Sequence, residues 1–390
     1  MSYHRAVRAA LRRVETAAVL IVGAGVTGLS TALHLLQREA GSVVVVDRAG
    51  IGAGASGVQP GGVRQQWSTR VNCVLARRSL DFYRDAAERL RSSADLTLRP
   101  CGYVFLAHAR ETLERLRRDV ALQNGLGIPS RVVTAEEAAA LVPDLRTDAV
   151  LGASWCGEDG YFDRPQAVVE AFAEAARRLG ARIELGQVTA LERRGGSWHA
   201  RLAGGDELAA GAVVVAAGAD ARELVRPLGH DLPIEREDRH LFYSEPIRER
   251  LLEPLVVAPD RRFAAKQLAD GRVLASDLAA VGDPIEQRER WRRTVRAGVD
   301  ELLPRLALVP LPLLVSGVYD VTPDRQAIVG TLEDGLVVAA GFSGHGFMVA
   351  PEIGRTVASL ALGAPLPEEL AELAPERFVR GELRPERQVI

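Results

Sequence analysis

Gly23, Gly25 and Gly28 stand at GxGxxG spacing, and Asp47 follows about two dozen residues later. Those residue types at that spacing suit a grip on a dinucleotide. The first glycine allows a tight turn, the second lets a pyrophosphate approach the backbone, and the third lets a helix pack closely on a strand. The helix N-terminus then faces the phosphates. An acid at the end of the next strand holds a ribose hydroxyl. Val26 and Thr27 inside the motif and Arg48 beside the acid belong to the same candidate site. The bland alternative is a glycine-rich turn in an ordinary α/β unit. Context favours the dinucleotide: a buried strand precedes the motif from Ala18, a helix follows to Leu33, and Val43–Asp47 reads as the second strand.

Other residues with chemical potential lie far apart in the chain. Gly52-Ala-Gly-Ala-Ser-Gly57 is a second glycine-rich loop containing Ala55 and Ser56, and it continues through Val63 and Arg64 to Trp67. Ala212–Ala219 reads as a fully buried parallel strand running into a turn at Ala217-Gly218. Val337–Gly341 reads as the last core strand, and Gly341-Phe-Ser-Gly-His-Gly-Phe347 leads into a final helix at 350–362.

The elements between them are predicted as follows. Residues 70–91 form a helix, 102–107 a strand and 111–124 a helix. Thr134-Ala-Glu-Glu opens another helix with a capping box. A helix begins at Pro165 and ends before Gly180. Strands follow at 182–185 and 188–192, then a hairpin of 198–202 with 207–209. Residues 233–318 alternate short strands with one arginine-rich helix, 284–303. The βαβ pieces sit at the start, middle and end of the chain, yet a parallel sheet needs them together. Residues 1–85, 157–232 and 319–390 are therefore expected to form one discontinuous domain, with 86–156 and 233–318 forming a second by insertion.

Bulk properties narrow the function classes. A chain of 390 residues has room for two domains with buried cores. A net charge of −2 gives no reason to expect nucleic acid. Cys73, Cys101 and Cys156 show no CxxC and no metal-ligand spacing, so they read as packed thiols in a reducing, cytoplasmic compartment, and no metal is expected. Residues 1–17 carry Arg5, Arg8, Arg12 and Arg13 without the apolar core of a secretory signal. They read as a solvated arm, with a membrane-surface role as the alternative. The apolar run Val19–Leu36 is broken by glycines and fits the strand–turn–helix better than a membrane span.

Four motifs carry a resemblance to the FAD-dependent amine and amino-acid oxidoreductases. This D-amino-acid oxidase-like group includes sarcosine oxidase, glycine oxidase, D-amino-acid dehydrogenase and the flavin subunits of proline dehydrogenase complexes. The motifs are the GxGxxG unit ending in Asp47, Gly52–Gly57, Tyr319-Asp-Val-Thr-Pro-Asp-Arg325 and Gly341-Phe-Ser-Gly-His-Gly-Phe-Met348. The resemblance covers about residues 18–365. It implies an α/β fold: a glutathione-reductase-like FAD-binding Rossmann domain interleaved with a mixed-sheet, α+β substrate domain. It also implies oxidation of the C–N bond of a secondary amine or amino acid, with hydride passing from the α-carbon to flavin N5 and the imine then hydrolysing. Oxygen or another electron acceptor takes the electrons onward. A partner subunit or a homo-oligomer fits that role, and a non-catalytic FAD-binding assembly factor is the runner-up.

The residues favour FAD over a nicotinamide because there is a second phosphate loop and a C-terminal glycine turn that opens a helix. Gly344, His345 and Gly346, followed by Phe347 and Met348, are expected at the flavin ring, where a helix N-terminus stabilises negative charge on the reduced ring. The resemblance places Val188, Ala217 and Gly218 at the cofactor as well. Some relatives attach the flavin through a cysteine two residues before the tyrosine of the third motif, or through a histidine in the loop after the second strand. Here those places hold Gly317 and Val58-Gln59, so non-covalent FAD is expected.

Arg64 is a candidate for holding a substrate carboxylate or the flavin, with a structural arginine as the alternative. Tyr319 and Met348 stand where some relatives keep carboxylate-binding arginine and lysine, which disfavours a simple D-amino acid or free sarcosine and leaves a proline-like or bulkier amine open. Tyr319 is itself a candidate catalytic and substrate-contacting residue. His345 is a candidate to orient the ring or touch substrate. His240 and Tyr243, on opposite faces of one strand, are candidates for the substrate pocket or for sheet packing. Lys266, the only lysine, is a candidate for promoting reaction with oxygen, against a solvated strand position.

Overall fold

The computed structural model describes residues 15–389. The basic arm at Arg5–Arg13 lies outside them. Five strands form a parallel core in the spatial order Arg182–Leu185, Val43–Asp47, Glu15–Val22, Glu207–Val215 and Leu336–Ala340. All but the first are buried Val, Leu and Ala runs, as strands covered on both faces must be. Antiparallel additions at 188–194, 197–202 and 328–333 complete an eight-stranded sheet. Helices Val26–Leu36, Arg70–Arg84, Pro165–Arg178 and Gly346–Ala361 share one apolar core on it.

The second eight-stranded sheet is mixed. Its order is 313–321, 235–243, 273–277, 263–267, 255–258, 103–107, 152–156 and 131–133. Only the pair 255–258 with 103–107 is parallel. Helix Pro284–Leu302 covers one face through Trp291, Val295 and Val299. A small third sheet of Gly62–Val63, Gly160–Phe162 and Leu98–Arg99 was not anticipated from the sequence.

Three local expectations need correction. The hairpin strand at 207–209 and the buried strand at 212 onward are one nine-residue strand. Its first half pairs antiparallel with 197–202 and its second half parallel with 336–340, so alternation and continuous apolarity meet in one element. The helix at 70–91 breaks at Asp85 into two. The last helix begins at Gly346, four residues earlier than expected, so the glycine–histidine motif forms its first turn.

Pro351 inside that helix lacks an N–H and so leaves the Phe347 carbonyl without its usual partner. The buried Tyr83 hydroxyl donates to this oxygen at 2.5 Å. Distant chain segments thereby fix the start of the helix. The capping box at Thr134 and Glu137 forms as expected. The three cysteines are free, and no described helix is long and apolar enough to cross a membrane.

Candidate active site

The tight packing of the first βαβ unit leaves no room for side chains at Gly23 and Gly28. Gly23 has φ +115°, and a Cβ there would lie 2.2 Å from the Ala216 carbonyl oxygen. A Cβ on Gly28 would lie 2.0 Å from the Gly23 oxygen. The helix therefore starts against the sheet, with Gly25 as its N-cap and no acidic residue in its first turn. Ser56 Oγ, from the second loop, accepts from Val26 N at 3.0 Å. Asp47 accepts from Ala24 N at 2.8 Å through one oxygen, and from Ala49 N and Gly50 N at 2.8 and 2.9 Å through the other. A carboxylate offers about four acceptor sites, so capacity for a ribose hydroxyl remains. Arg48 pairs with Asp220 at 2.7 Å, beside Ala217 and Gly218.

These pieces open into one elongated cavity of ≈ 800 Å³. Gly25, Ser56 and His345 all line it, although they come from three distant parts of the chain. Gly23, Val26, Thr27, Asp47, Arg48, Ala55, Val188, Ala217 and Gly218 line the phosphate end. Gly344, Gly346, Phe347 and Met348, with Tyr319, Arg64 and Lys266, line the other. Three candidates do not reach the wall. Gly28 acts from behind it, through packing. Val63 is fully buried in the core, because strand alternation turns Gly62 and Arg64 to the cavity and Val63 away. Tyr243 lies two residues, roughly 7 Å, beyond Leu241, where its strand leaves the cavity wall.

His240 borders the cavity but behaves as a core histidine. Nδ1 meets Ser316 Oγ at 2.8 Å, Nε2 meets the Gly282 carbonyl at 2.9 Å, and the ring stacks on Trp291. His345 is the opposite case. It is buried, its ring lies 4.8 Å from that of Trp67, and neither ring nitrogen has a hydrogen-bond partner. Burial pushes its pKa down to about 4, so the neutral ring offers one donor and one acceptor. Both nitrogens lie on the cavity wall with no partner in hydrogen-bonding geometry, and so are open to a bound group. Asp320 holds the turn in place: its carboxylate accepts from Gly341 N at 2.7 Å and its carbonyl from Ser343 N at 3.0 Å. Gly344 has φ +92°, and a Cβ there would lie 2.1 Å from the Tyr319 ring.

Arg64 is 1% exposed. Its two terminal nitrogens donate to the Gln66 and Gln388 carbonyls, its plane lies 3.6 Å from the Trp67 ring centroid, and Nε is unpaired. No carboxylate forms an ion pair with it among the described residues. Burial pushes its pKa down, and Glu386 and Asp159 act only from a distance. The guanidinium is thus buried, keeps spare donors and has no counter-ion among the described residues.

Lys266 is 4% exposed, which overturns the solvated alternative. Its ammonium donates to the Pro60 carbonyl and lies 4.6 Å from the Tyr161 ring centroid. Burial pushes its pKa down to about 8. The folded state therefore holds fewer protons than the unfolded state between about pH 8 and the ordinary lysine range. The penalty is fully present below that window, and stability rises as pH climbs through it, by about 3 kcal/mol. Lys266→Met should lack this rise. Urea unfolding at pH 7.5 and 10 should show the wild type gaining on the variant, and parallel profiles would sink the assignment.

Sequence reasoning missed Trp67, Tyr103, Arg239 and Val389 on the cavity wall. Trp67 closes the loop that carries Arg64, Tyr103 sits against Gly62, and Arg239 stacks over Tyr319. Trp67 lies in the same loop as Arg64 but belongs to no motif, and Tyr103, Arg239 and Val389 come from segments distant in the chain, so none carries a local signal. Among the described residues no group of three or more His, Cys, Asp or Glu could hold a metal.

A parallel core with its glycine turn, and a cavity lined by that turn, a second glycine-rich loop and a buried histidine, are the features of a dinucleotide-binding protein. The chain belongs to the FAD dependent oxidoreductase family, whose model matches residues 18–360. It is 28% identical to FAD-dependent oxidoreductase domain-containing protein 1 of Bos taurus, over 89% of this chain and 82% of the relative. It is 31% identical to glycine oxidase of Geobacillus kaustophilus, over 88% and 92%. Its fold is similar to L-proline dehydrogenase from P. horikoshii, with TM-score 0.85, 28% identity, and coverage of 95% and 100%. The protein is thus an FAD-dependent enzyme with the α/β fold of that family. The cavity fits the cofactor: the glycine cradle and Ser56 suit the pyrophosphate, Asp47 the ribose and the His345 turn the ring.

Proposed function

We propose that this enzyme oxidises the C–N bond of a carboxylate-bearing secondary amine or amino acid, with a proline-like substrate favoured. The observation that carries this reading is Arg64, a buried cation without a counter-ion, on the wall of the cavity that His345 also lines. Bound FAD supplies the hydride acceptor for the substrate α-carbon. The residues of the chain do the positioning. Arg64 holds the carboxylate and so restricts the orientation of the α-carbon. His345 stays neutral and hydrogen-bonds bound groups through either nitrogen. The first turn of the Gly346–Ala361 helix favours negative charge beside it. Lys266, with a pKa near 8, presents a positive charge at neutral pH that suits reaction with oxygen.

Non-covalent attachment is part of the reading. Val58, Gln59 and Gly317 line the cavity where attaching residues would stand, and a Cβ on Gly317 would come within 2.9 Å of Val58 Cγ2. Tyr319 and Met348 on the wall add no cation, and of the cations that do line the cavity Arg239 is paired with Glu237 and Lys266 donates to the Pro60 carbonyl, which supports Arg64 as the carboxylate anchor. The names of glycine oxidase and L-proline dehydrogenase among the relatives agree with this class.

The test is anaerobic mixing of the yellow protein with secondary amines, proline analogues and D- and L-amino acids. Bleaching by a carboxylate-bearing amine is expected. Colour retained across the whole panel would leave a non-catalytic flavoprotein. Admitting air and assaying peroxide then separates an oxidase from a dehydrogenase.

A further inference from the structure

The last described segment of the chain reaches the cavity, although the reaction assigned above makes no use of it. We propose that Arg384–Val389 sets the position of Arg64 and the size of the cavity beside it, with Glu386 as a positioning residue and Val389 as a specificity-determining residue. The proposal rests on the reading of Arg64 as the carboxylate anchor.

The segment is fastened at three points. Glu386 N donates to the Asp324 carbonyl at 2.9 Å, and Asp324 forms a fully buried ion pair with Arg377 at 2.8 Å. The Glu386 side chain, 3% exposed, then clips the start of helix 70–84. It accepts from the Ser68 amide and hydroxyl at 3.0 and 2.5 Å, the Thr69 amide and hydroxyl at 3.2 and 2.8 Å, and Asn72 Nδ2 at 3.1 Å. Thr69, the N-cap of that helix, makes no side-chain cap of its own. Glu386 therefore accepts, from more than 300 residues away, the backbone amides of the N-cap residue and of the residue before it.

Gln388 follows. Its amide donates to Glu386 at 2.9 Å and its Nε2 to Asp119 at 3.0 Å, which leaves its carbonyl aimed at Arg64. Val389 then stands on the cavity wall. Arg64 is consequently held between one carbonyl from its own loop and one from this segment. Losing the clip would let the second carbonyl drift and free the guanidinium to turn out of its stack on Trp67. The loop of Arg64 and the clipped helix start are adjacent in sequence, so one displacement moves both.

The experiment titrates the oxidised, FAD-loaded full chain with benzoate and follows the flavin absorption band. Glu386→Ala should weaken benzoate at least tenfold, Glu386→Gln, whose NH2 must face N–H donors on either side, by at least threefold, and Val389→Trp at least tenfold, all with FAD content equal to wild type. With a turned-over amine, Glu386→Ala should raise KM about tenfold and change kcat by less than threefold. If Glu386→Ala does not fold, Val389→Trp and Glu386→Gln carry the test. Benzoate binding within twofold of wild type in every folded variant overturns the proposal. Wild-type protein whose flavin band does not respond to benzoate overturns it together with the carboxylate role of Arg64. Wild-type protein that binds benzoate but is bleached by no amine defeats the catalytic reading alone, and the variants still decide the role of the segment.

Discussion

Purified Gly28→Ala protein is expected to be colourless. The added Cβ would fall 2.0 Å from the Gly23 carbonyl oxygen and 3.2 Å from Ile21 Cγ2. The first collision is with backbone, which cannot rotate out of the way. Helix Val26–Leu36 must then move off the sheet, withdrawing Gly25 and the Ser56 contact from the phosphate end of the cavity. Overpacking of this kind costs about 1–3 kcal/mol or more, a large part of the roughly 5–15 kcal/mol that holds a protein folded. FAD retained after gel filtration should fall below about a tenth of wild type. The folded variant should also lose the extra stability that bound cofactor confers. Gly180→Ala is the control: Gly180 also has a left-handed φ, +103°, but nothing lies within 4 Å of its Cβ position. That variant should keep its colour. Equal flavin content in the two variants would refute the packing argument.

Arg64→Met should keep the flavin and lose most turnover of amino acids. Two of the five guanidinium donors are engaged by carbonyls, and Nε–H is unpaired. Truncating the cationic partner of a desolvated charge pair costs about 2–5 kcal/mol. That corresponds to a fall of about 30- to 5,000-fold in kcat/KM. The loss should fall on carboxylate-bearing amines and spare the same amines without the carboxyl group, so their ratio is the diagnostic quantity. Arg64→Lys should recover only part, because an ammonium lacks the planar fork. Equal losses for both substrate types would show that Arg64 holds the site together without touching substrate.

Much of this arrangement was legible in the residues. The GxGxxG unit, its strand and helix and Asp47 are a local pattern, and the glycines do what that pattern requires. The turn at Gly344–Gly346 was also readable, as was the convergence of three chain regions, since βαβ pieces without neighbours must find one another. Other features were not. Val63 and Arg64 are adjacent, and only strand pairing decides which of them faces the cavity. His240 and His345 are both buried histidines, and only their neighbours distinguish a satisfied core residue from an unpaired ligand group. Lys266 lies on a strand whose pattern could not show which face is covered.

By itself, the sequence determined the βαβ unit with its glycine turn, the need for a discontinuous parallel sheet and the Gly344–Gly346 motif that lines the cavity. These follow from backbone requirements and apolar periodicity, which act over a few residues. Tertiary structure alone decided which charges are buried without counter-ions, and that Val389, in the segment from Arg384, stands on the wall that Arg64 also lines. Burial and counter-ion pairing depend on what the fold brings from elsewhere, and nothing within a short window of residues encodes them.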